Sequence, residues 1–428
     1  MENSRPAVKV VYKNLQERLD KYPIGAPPKP EFFELLQILF DEEHARVASL
    51  MPIKPSPIDK LSKRTGVPED KLRVMFEKMA GRGLVMDFKH GASGKTYYML
   101  APTIVGFFEF SLMKERDDFD QKRVAELMDK YEHGDFATEV FQGRTQIGRA
   151  LASETALDES ALSTALDNDR ASKLIESAGY LAVSHCFCRH KTRLMGKPCG
   201  KTEEICLALG QGSDFLVRNK LAREISVPEA LDLLEQARSE GLVQIADNIA
   251  SGPTFICNCC GCCCAMLRAI NDKGLTYAVH TSGFIASVKE AACTGCSKCK
   301  KICPVNAISI SEEISAGGKK IRKAVIDEQI CLGCGVCERS CNFESLWMRP
   351  REKRTLTPAN TLERILMMAV ERGKLHHVLF DGSEGPTADF LKNITGAFLN
   401  MPVSKRLLLN KEIQSRFLEF ANKATGRK

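Results

Sequence analysis

Apolar residues recur at helical spacing over much of the first hundred positions. This spacing predicts a helix within Glu31–Leu50, a short helix at Ile58–Arg64 and a third at Pro68–Gly81. The third segment opens with a proline and two acidic residues, which suit the first turn of a helix. Alternating apolar residues at Leu84–Phe88 and Thr96–Leu100 predict two strands joined by a glycine-containing turn. The chain therefore begins with three helices and a β-hairpin.

This order of elements resembles a winged-helix domain, which we assign to residues 31–112. Residues 1–30 end in Pro27-Pro28-Lys29-Pro30 and are predicted as an N-terminal arm. Winged helices bind DNA through the helix before the hairpin, but here Glu69 and Asp70 stand at the start of that helix. Nine basic and five acidic residues across Ile58–Leu100 give a modest surplus. We expect protein docking or homodimerisation, with nucleic-acid binding as the alternative.

The rest of the chain carries mostly helical patterns. Residues 113–283 predict a mainly helical, cysteine-rich region, in which Ser226 is a candidate cap for a helix from Val227 to about Glu240. Residues 350–428 predict a helical tail, with clear periodicity at Thr361–Arg372 and Lys405–Ala421. The tail is basic, since residues 349–428 hold 15 Lys or Arg and 8 Asp or Glu. A solvated surface explains this charge, and contact with an acidic partner or an anionic membrane surface is the alternative.

All 18 cysteines lie between Cys186 and Cys341. The chain opens without the apolar stretch of a signal peptide, and no apolar run is long enough to cross a membrane. We therefore expect a cytoplasmic protein. Reducing surroundings favour metal or redox chemistry over structural disulfides.

Two cysteine runs share the spacing C-x2-C-x2-C-x3-C. The first run is Cys293, Cys296, Cys299 and Cys303, and the second is Cys331, Cys334, Cys337 and Cys341. Three closely spaced thiolates on a tight loop and a fourth that points away suit an iron–sulfur cubane. A pair of zinc sites is the alternative, but zinc would leave the third and fourth cysteines of each run surplus.

This spacing resembles the bacterial two-cluster ferredoxin family over about residues 284–349. In that family the fourth cysteine of each run binds the cluster of the other run. The resemblance implies that one [4Fe–4S] cluster is held by Cys293, Cys296, Cys299 and Cys341. It implies that the second [4Fe–4S] cluster is held by Cys303, Cys331, Cys334 and Cys337. The segments 307–310 and 321–326 predict the strands of a hairpin between the runs.

Ten further cysteines form two upstream groups. The first group is Cys186, Cys188, Cys199 and Cys206, and the second occupies six of the eight positions from Cys257 to Cys264. Cys186 and Cys188 would share one face of an extended strand, as would Cys257 and Cys259. Cys260 and Cys264 would share a helix face. The predicted metal ligands are Cys186, Cys188, Cys199, Cys206, Cys257, Cys259, Cys260 and Cys264.

These upstream ligands predict one further iron–sulfur cluster, with zinc as the rival metal. A single site shared by both groups would also fit the pattern, and so would a redox-active patch of thiols. His185 and His190 flank the first cysteine pair and are candidates for metal ligation or for hydrogen bonding to cluster sulfurs.

The winged-helix start, the HCxCRH and CNCCxCCC motifs and the two ferredoxin runs together resemble large ferredoxin-like proteins of anaerobic microorganisms. The resemblance implies a multidomain α+β protein that relays single electrons through its clusters to a partner oxidoreductase. We expect an electron carrier or an oxidoreductase subunit rather than a stand-alone enzyme. A redox-responsive DNA-binding regulator and an iron–sulfur reductase that acts at Cys257–Cys264 are the rival hypotheses.

Overall fold

A computed structural model describes residues 8–91, 93–314, 320–352 and 357–381. The helix predicted at Lys405–Ala421 lies outside these residues. The helices are α1 Val10–Leu19, α2 Pro30–Leu39, α3 Glu42–Leu50, α4 Ile58–Thr65, α5 Glu69–Gly81, α6 Phe108–Phe110, α7 Gln121–Glu132, α8 Asp135–Phe141, α9 Glu159–Thr164, α10 Ala171–Ser177, α11 Phe187–Leu194, α12 Gln211–Arg218, α13 Val227–Ser239, α14 Ala265–Lys273, α15 Lys298–Ile302, α16 Val336–Arg339, α17 Thr361–Glu371 and α18 Leu375–Phe380.

The strands belong to four antiparallel sheets. They are β1 Ser56–Pro57, β2 Val85–Lys89, β3 Thr96–Leu100, β4 Gly148–Ala150, β5 Leu181–His185, β6 Glu204–Leu209, β7 Arg223–Glu224, β8 Val243–Asp247, β9 Phe255–Cys259, β10 Phe284–Val288, β11 Ile308–Ile314, β12 Lys320–Ile326 and β13 Leu346–Pro350. This mixture of helices and sheets is the expected α+β class.

The described residues divide into two compact units. The first unit takes its residues from 8–111, 117–145 and 361–381, and the second from 112–116 and 146–360. The ferredoxin-like segment and both upstream cysteine groups therefore belong to one unit. Among the described residues, no helix combines the length and the apolar character that a membrane crossing requires.

The first unit contains the helices and the hairpin predicted at its start. Helices α4 and α5 match the predicted segments closely, and β2 and β3 pair from Val85 with Leu100 to Lys89 with Thr96. Strand β1 adds to β3, which gives the order β1-β3-β2. The segment 31–50 forms two helices rather than one, because Asp41 accepts a hydrogen bond from the His44 backbone amide and starts α3.

The predicted N-terminal arm is wrong for residues 10–19, which form helix α1. Tyr12, Leu15 and Leu19 recur on one face of this helix and are buried against the unit, where α1 packs on α3. Pro30 is the first residue of α2, a position that proline tolerates because its missing amide would be unpaired there.

The described part of the predicted tail also packs into the first unit. Glu371, at the end of α17, accepts hydrogen bonds from the backbone amide and the hydroxyl of Thr145. Asp381 forms a buried ion pair with Arg18 at 2.6 Å. Residues 361–381 are therefore part of the first unit's core and not a free basic extension.

The second unit is built on a six-stranded antiparallel sheet with the order β4-β8-β9-β6-β5-β7. Helices α10 and α13 pack on it through a core that includes Leu174, Leu234 and Leu207. The prediction of a mainly helical region missed this sheet. Strands β5, β6 and β8 are almost wholly buried, so they lack the alternation that distinguishes a strand.

One predicted helix of this unit is confirmed. Helix α13 begins at Val227, where the Ser226 hydroxyl accepts a hydrogen bond from the Glu229 backbone amide.

Candidate metal centres

The ferredoxin-like segment contains two short helices and two antiparallel sheets of two strands each. Strand β10 pairs with β13 and β11 with β12, as the pattern between the runs predicted for the second pair. Cys299 lies in α15 and Cys337 lies in α16, and the two helices pack against each other. Because each helix ends close to the fourth cysteine of its run, this packing brings the runs together.

One cavity in this segment is lined by cysteines from both runs. The first run contributes one cysteine and the second run contributes three, and the lining thiols are Cys303, Cys331, Cys334 and Cys337. The apolar side chains of Ala286, Leu332 and Val305 complete much of the wall. This grouping matches the ligand set that the ferredoxin resemblance implied for the second cluster.

The thiols of this cavity sit in a poorly solvated environment. Burial raises the pKa of Cys334 to about 12 and also raises the pKa of Cys337. The neighbouring sulfurs of Cys331 and Cys303 raise both values further. Thiolates are the ligands that iron requires, and a metal bound in the cavity would favour their charged form. The donor set therefore fits an iron–sulfur cluster.

The other predicted set lies nearer the surface. Burial raises the pKa of Cys299, and the nearby sulfurs of Cys293 and Cys296 add to that increase. Cys296 is exposed. The Cys341 sulfur lies 3.1 Å from the Ser345 hydroxyl oxygen. The structure thus brings Cys293, Cys296 and Cys299 together. The polar contact of Cys341 is with the Ser345 hydroxyl.

Backbone amides donate to one sulfur in each of the two predicted ligand sets, and both sulfurs belong to the first run. The Ala307 amide donates to Cys303 Sγ at 3.2 Å, and the Ala324 amide donates to Cys293 Sγ at 3.4 Å. Such hydrogen bonds are one of the factors that set the potential of an iron–sulfur cluster. Ala324 lies in β12 and Ala307 directly precedes β11, so the hairpin between the runs positions both amides.

The loop of the second run is held from outside the ferredoxin-like segment. The Ser282 hydroxyl donates to the Gly333 carbonyl at 2.7 Å, and the Ser153 amide donates to the Cys334 carbonyl at 3.0 Å. Gly333 adopts a φ of 70°, and a side chain there would collide with the Phe284 carbonyl. The second loop therefore depends on residues that precede both runs.

Six upstream thiols meet at one end of the large sheet. Cys186 follows β5, Cys206 lies near the start of β6, and Cys257 and Cys259 lie near the end of β9. Since these neighbouring strands are antiparallel, all four positions fall at the same end. Cys188 in the first turn of α11 and Cys264 before α14 complete the set. We call Cys186, Cys188, Cys206, Cys257, Cys259 and Cys264 the six-thiol group.

Neighbouring sulfurs of the six-thiol group interact in a closed ring. The order around the ring is Cys186, Cys188, Cys264, Cys259, Cys257 and Cys206. Hydrogen bonds from both neighbours lower the pKa of every second thiol, to about 6 for Cys257, and raise the pKa of the thiols between them. The six sulfurs are thus close enough to one another to share bound metal, which would deprotonate the thiols that ligate it.

The local structure corrects two details of the upstream prediction. Cys186 and Cys188 do not share a strand face, because the chain turns into helix α11 at Phe187. They still meet, since a residue just before a helix and one in its first turn lie close together. Cys260 and Cys264 do not share a helix face either, because α14 starts only at Ala265 and the two sulfurs enter different groups.

The remaining four upstream cysteines form a second, separate group of neighbouring thiols, which we call the four-thiol group. It consists of Cys199, Cys260, Cys262 and Cys263, whose sulfurs all lie within 4.8 Å of one another. Cys199 comes from the loop after α11, and the other three come from the turn closed by the Cys264 amide and the Cys260 carbonyl. Cys262 and Cys263 were not among the predicted ligands. Six cysteines within eight residues cannot be assigned to separate sites from their spacing alone.

A buried arginine lies between these two groups. Arg189 Nη1 is 3.7 Å from Cys260 Sγ, and Arg189 Nη2 donates to the Asn258 carbonyl at 3.0 Å. The residue is only 2% exposed. Burial acts to lower the pKa of Arg189, but the negative charge of Cys186, Cys206 and Cys260 raises it overall. The guanidinium therefore compensates charge in both groups.

The two histidines of the first motif take positions beside the cysteines. His190 is buried, and its Nδ1 lies 2.8 Å from the Leu112 carbonyl oxygen. Burial lowers the pKa of His190 and favours its neutral form. The His185 ring packs edge-on against the His190 ring and lies 3.8 Å from Glu203. These contacts favour a supporting role for both histidines.

Comparison with known proteins identifies the ferredoxin-like segment. Residues 292–345 match a family model described as a 4Fe-4S dicluster domain. Searches of curated proteins and of solved structures found no match to the chain. The match covers both cysteine runs and supports iron–sulfur cluster binding by a ferredoxin-type domain. Together with the clustered upstream cysteines, it indicates iron–sulfur electron transfer.

Proposed function

We propose that the protein relays single electrons through two [4Fe–4S] clusters to a partner oxidoreductase in the cytoplasm. The observation that carries the proposal is the cavity that Cys303 shares with three cysteines of the second run. A zinc site made from one run alone would not need a cysteine from the other run. The interleaved set is the one that two-cluster ferredoxins use.

In this proposal Cys303, Cys331, Cys334 and Cys337 hold one cluster, and Cys293, Cys296, Cys299 and Cys341 hold the other. A bound cluster supplies one-electron redox chemistry. The chain's own contribution is to exclude water from the inner set and to donate hydrogen bonds to the ligand sulfurs. Ala307, Ala324 and Ser345 supply these hydrogen bonds.

We propose a third iron–sulfur cluster in the six-thiol group. Its ring of six adjacent thiols supports this assignment, because the ring offers the four thiolates that a cluster requires, with two more beside them. Arg189 would offset part of the negative charge of the ligands. A third cluster in the same compact unit would extend the relay beyond the ferredoxin-like segment.

The outer cluster set is the proposed contact point for the redox partner. Cys296 is exposed, and the exposed residues Lys298, Lys300 and Lys301 follow it directly in the chain. A positively charged rim beside a redox centre favours association with an acidic partner surface. We therefore expect electron exchange at this set and not at the enclosed one.

We propose that residues 31–112 form a winged-helix-like docking module. In α5, Lys71 forms an ion pair with Glu43 at 2.5 Å, and Arg73 forms one with Glu69 at 3.6 Å. Phosphate contacts would have to compete with these carboxylates. On the same helix Val74 is 67% exposed, which is more useful for protein contact than for DNA contact.

The test is iron and acid-labile sulfide analysis of the full chain purified without oxygen. We expect at least about eight irons and eight sulfides per chain, because each [4Fe–4S] cluster contains four of each. Cys334→Ala should remove about four of each and one cluster signal in electron paramagnetic resonance. Ser309→Ala, at an exposed position in the same segment, should change neither. A value near four irons in the unmodified protein, or zinc in place of iron, would refute the proposal.

A further inference from the structure

The four-thiol group has the dimensions of a site for a single ion. Four thiolates around one tetrahedral metal at about 2.3 Å stand about 3.8 Å apart. All four sulfurs of the group lie within 4.8 Å of one another, and Cys262 Sγ and Cys263 Sγ are separated by 3.8 Å. A cubane gives each thiolate an iron of its own, which spreads the four sulfurs further apart than one shared ion does.

The surroundings of the group supply what a tetrathiolate site needs. The Arg189 guanidinium lies against Cys260 Sγ, and the Thr192 hydroxyl lies 3.3 Å from Cys263 Sγ. These two residues stand three positions apart in α11, so they project from the same side of that helix. Hydrogen bonds of this kind orient thiolate ligands and offset their charge. The ligands themselves come from two separate loops, which a bound ion would join.

We infer that Cys199, Cys260, Cys262 and Cys263 bind one thiophilic metal ion, zinc or iron, as a mononuclear site. This site is distinct from the two ferredoxin-type clusters and from the six-thiol group. It accounts for all the cysteines of the chain, since the eight in the runs, the six in the ring and these four make up the 18. The inference does not depend on the proposed electron transfer, because a mononuclear ion carries no sulfide.

The position of the group connects it with the ferredoxin-like segment. Gly261, between two of the ligands, packs so closely on the Pro304 carbonyl that a side chain at position 261 would collide with it. Asn271 Nδ2 donates to the same carbonyl at 3.0 Å. Pro304 directly follows Cys303, so the ion would lie next to a ligand-bearing segment of the enclosed cluster set.

The test compares metal and sulfide content in the unmodified chain and in the double variant Cys262→Ser/Cys263→Ser. We expect the double variant to lose one metal ion per chain with no loss of sulfide and with unchanged ferredoxin-type resonance signals. Ser239→Ala, which removes an exposed hydroxyl that donates to the Gln236 carbonyl, should keep the ion. Cys334→Ala should instead lose iron and sulfide together. Equal losses of iron and sulfide in the double variant, or no loss of metal, would overturn the inference.

A second measurement uses the unmodified protein in case the double variant fails to fold. X-ray absorption at the zinc edge should show four sulfur neighbours at about 2.3 Å if zinc occupies the site. If iron occupies it, Mössbauer spectroscopy of iron-enriched protein should show one high-spin iron outside the clusters. The absence of both signals would refute a mononuclear site.

Discussion

Between residues 292 and 345 the order of the cysteines along the chain nearly reproduces their grouping in space, whereas between Cys186 and Cys264 it does not. In the ferredoxin-like segment, Cys331, Cys334 and Cys337 line one cavity from a single run, and Cys303 alone joins them from the other run. Upstream, Cys259 and Cys260 are adjacent in sequence and belong to different groups. The first arrangement is set by loop geometry, and the second by how a sheet and two helices meet.

The two regions also compensate thiolate charge differently. Backbone amides such as that of Ala307 donate to sulfurs of the ferredoxin-like segment. The upstream groups share the buried guanidinium of Arg189. Replacing one side chain should therefore destabilise the upstream groups more than the ferredoxin-like segment.

The largest effect is expected for Arg189→Gln. Removing the cation leaves buried thiolates uncompensated, which should cost about 3–5 kcal/mol in the free energy of unfolding. Denaturant unfolding of metal-loaded protein without oxygen measures this loss. Arg193→Gln on the same helix is the control, because its ion pairs with Glu203 and Glu115 are partly exposed and should contribute about 1 kcal/mol at most. Equal losses in both variants would mean that Arg189 has no special role.

A smaller effect is expected where the two regions touch. Gly261→Ala puts a methyl group against the Pro304 carbonyl and should destabilise the protein by about 1–3 kcal/mol through overpacking. Gly283→Ala is the control, since a methyl group there meets open space. Thermal unfolding of both variants distinguishes them. A Gly261→Ala protein as stable as its control would show that the contact is looser than the structure indicates.

The smallest effect is expected within the ferredoxin-like segment itself. Burial acts to raise the pKa of Cys341, but hydrogen bonds from Ser345 and nearby backbone amides lower it overall. Ser345→Ala removes one of these bonds and should make the potential of that cluster more negative, by a shift on the order of 50 mV. Anaerobic redox titration measures the potential. Ser340→Ala is the control, because its hydroxyl donates to the Cys337 carbonyl and not to a sulfur.

The sequence was sufficient where the signal was local. Helices α4, α5 and α13 and the hairpin β11–β12 could be predicted from periodicity and caps, and the set lining the enclosed cavity followed from a family spacing. The six-stranded sheet could not be predicted in this way. Its central strands are buried on both faces, and a short run of buried residues looks the same in a helix and in a strand.

The division of the upstream cysteines into two groups also could not be predicted from the sequence, because it depends on the same sheet. Cys199 was grouped with Cys206 because the two are near in sequence, but α11 and the loop after it carry Cys199 to the turn at Cys260–Cys263. No spacing rule contains that information, because it depends on where β6 and β9 lie in the sheet. The adjacency of Cys262 and Cys263 was the one available signal, and it differs from the typical spacing of two to four residues between paired zinc ligands.

The anchoring of the second cysteine loop by Ser153 and Ser282 has a consequence for biosynthesis. Both serines leave the ribosome before the loop that they hold, so the surface that receives Gly333 and Cys334 is made first. Iron insertion at the enclosed set would then follow folding of the upstream sheet. An excised stretch of residues 284–349 would lack both anchors, and its two sets of ligands should mature unequally.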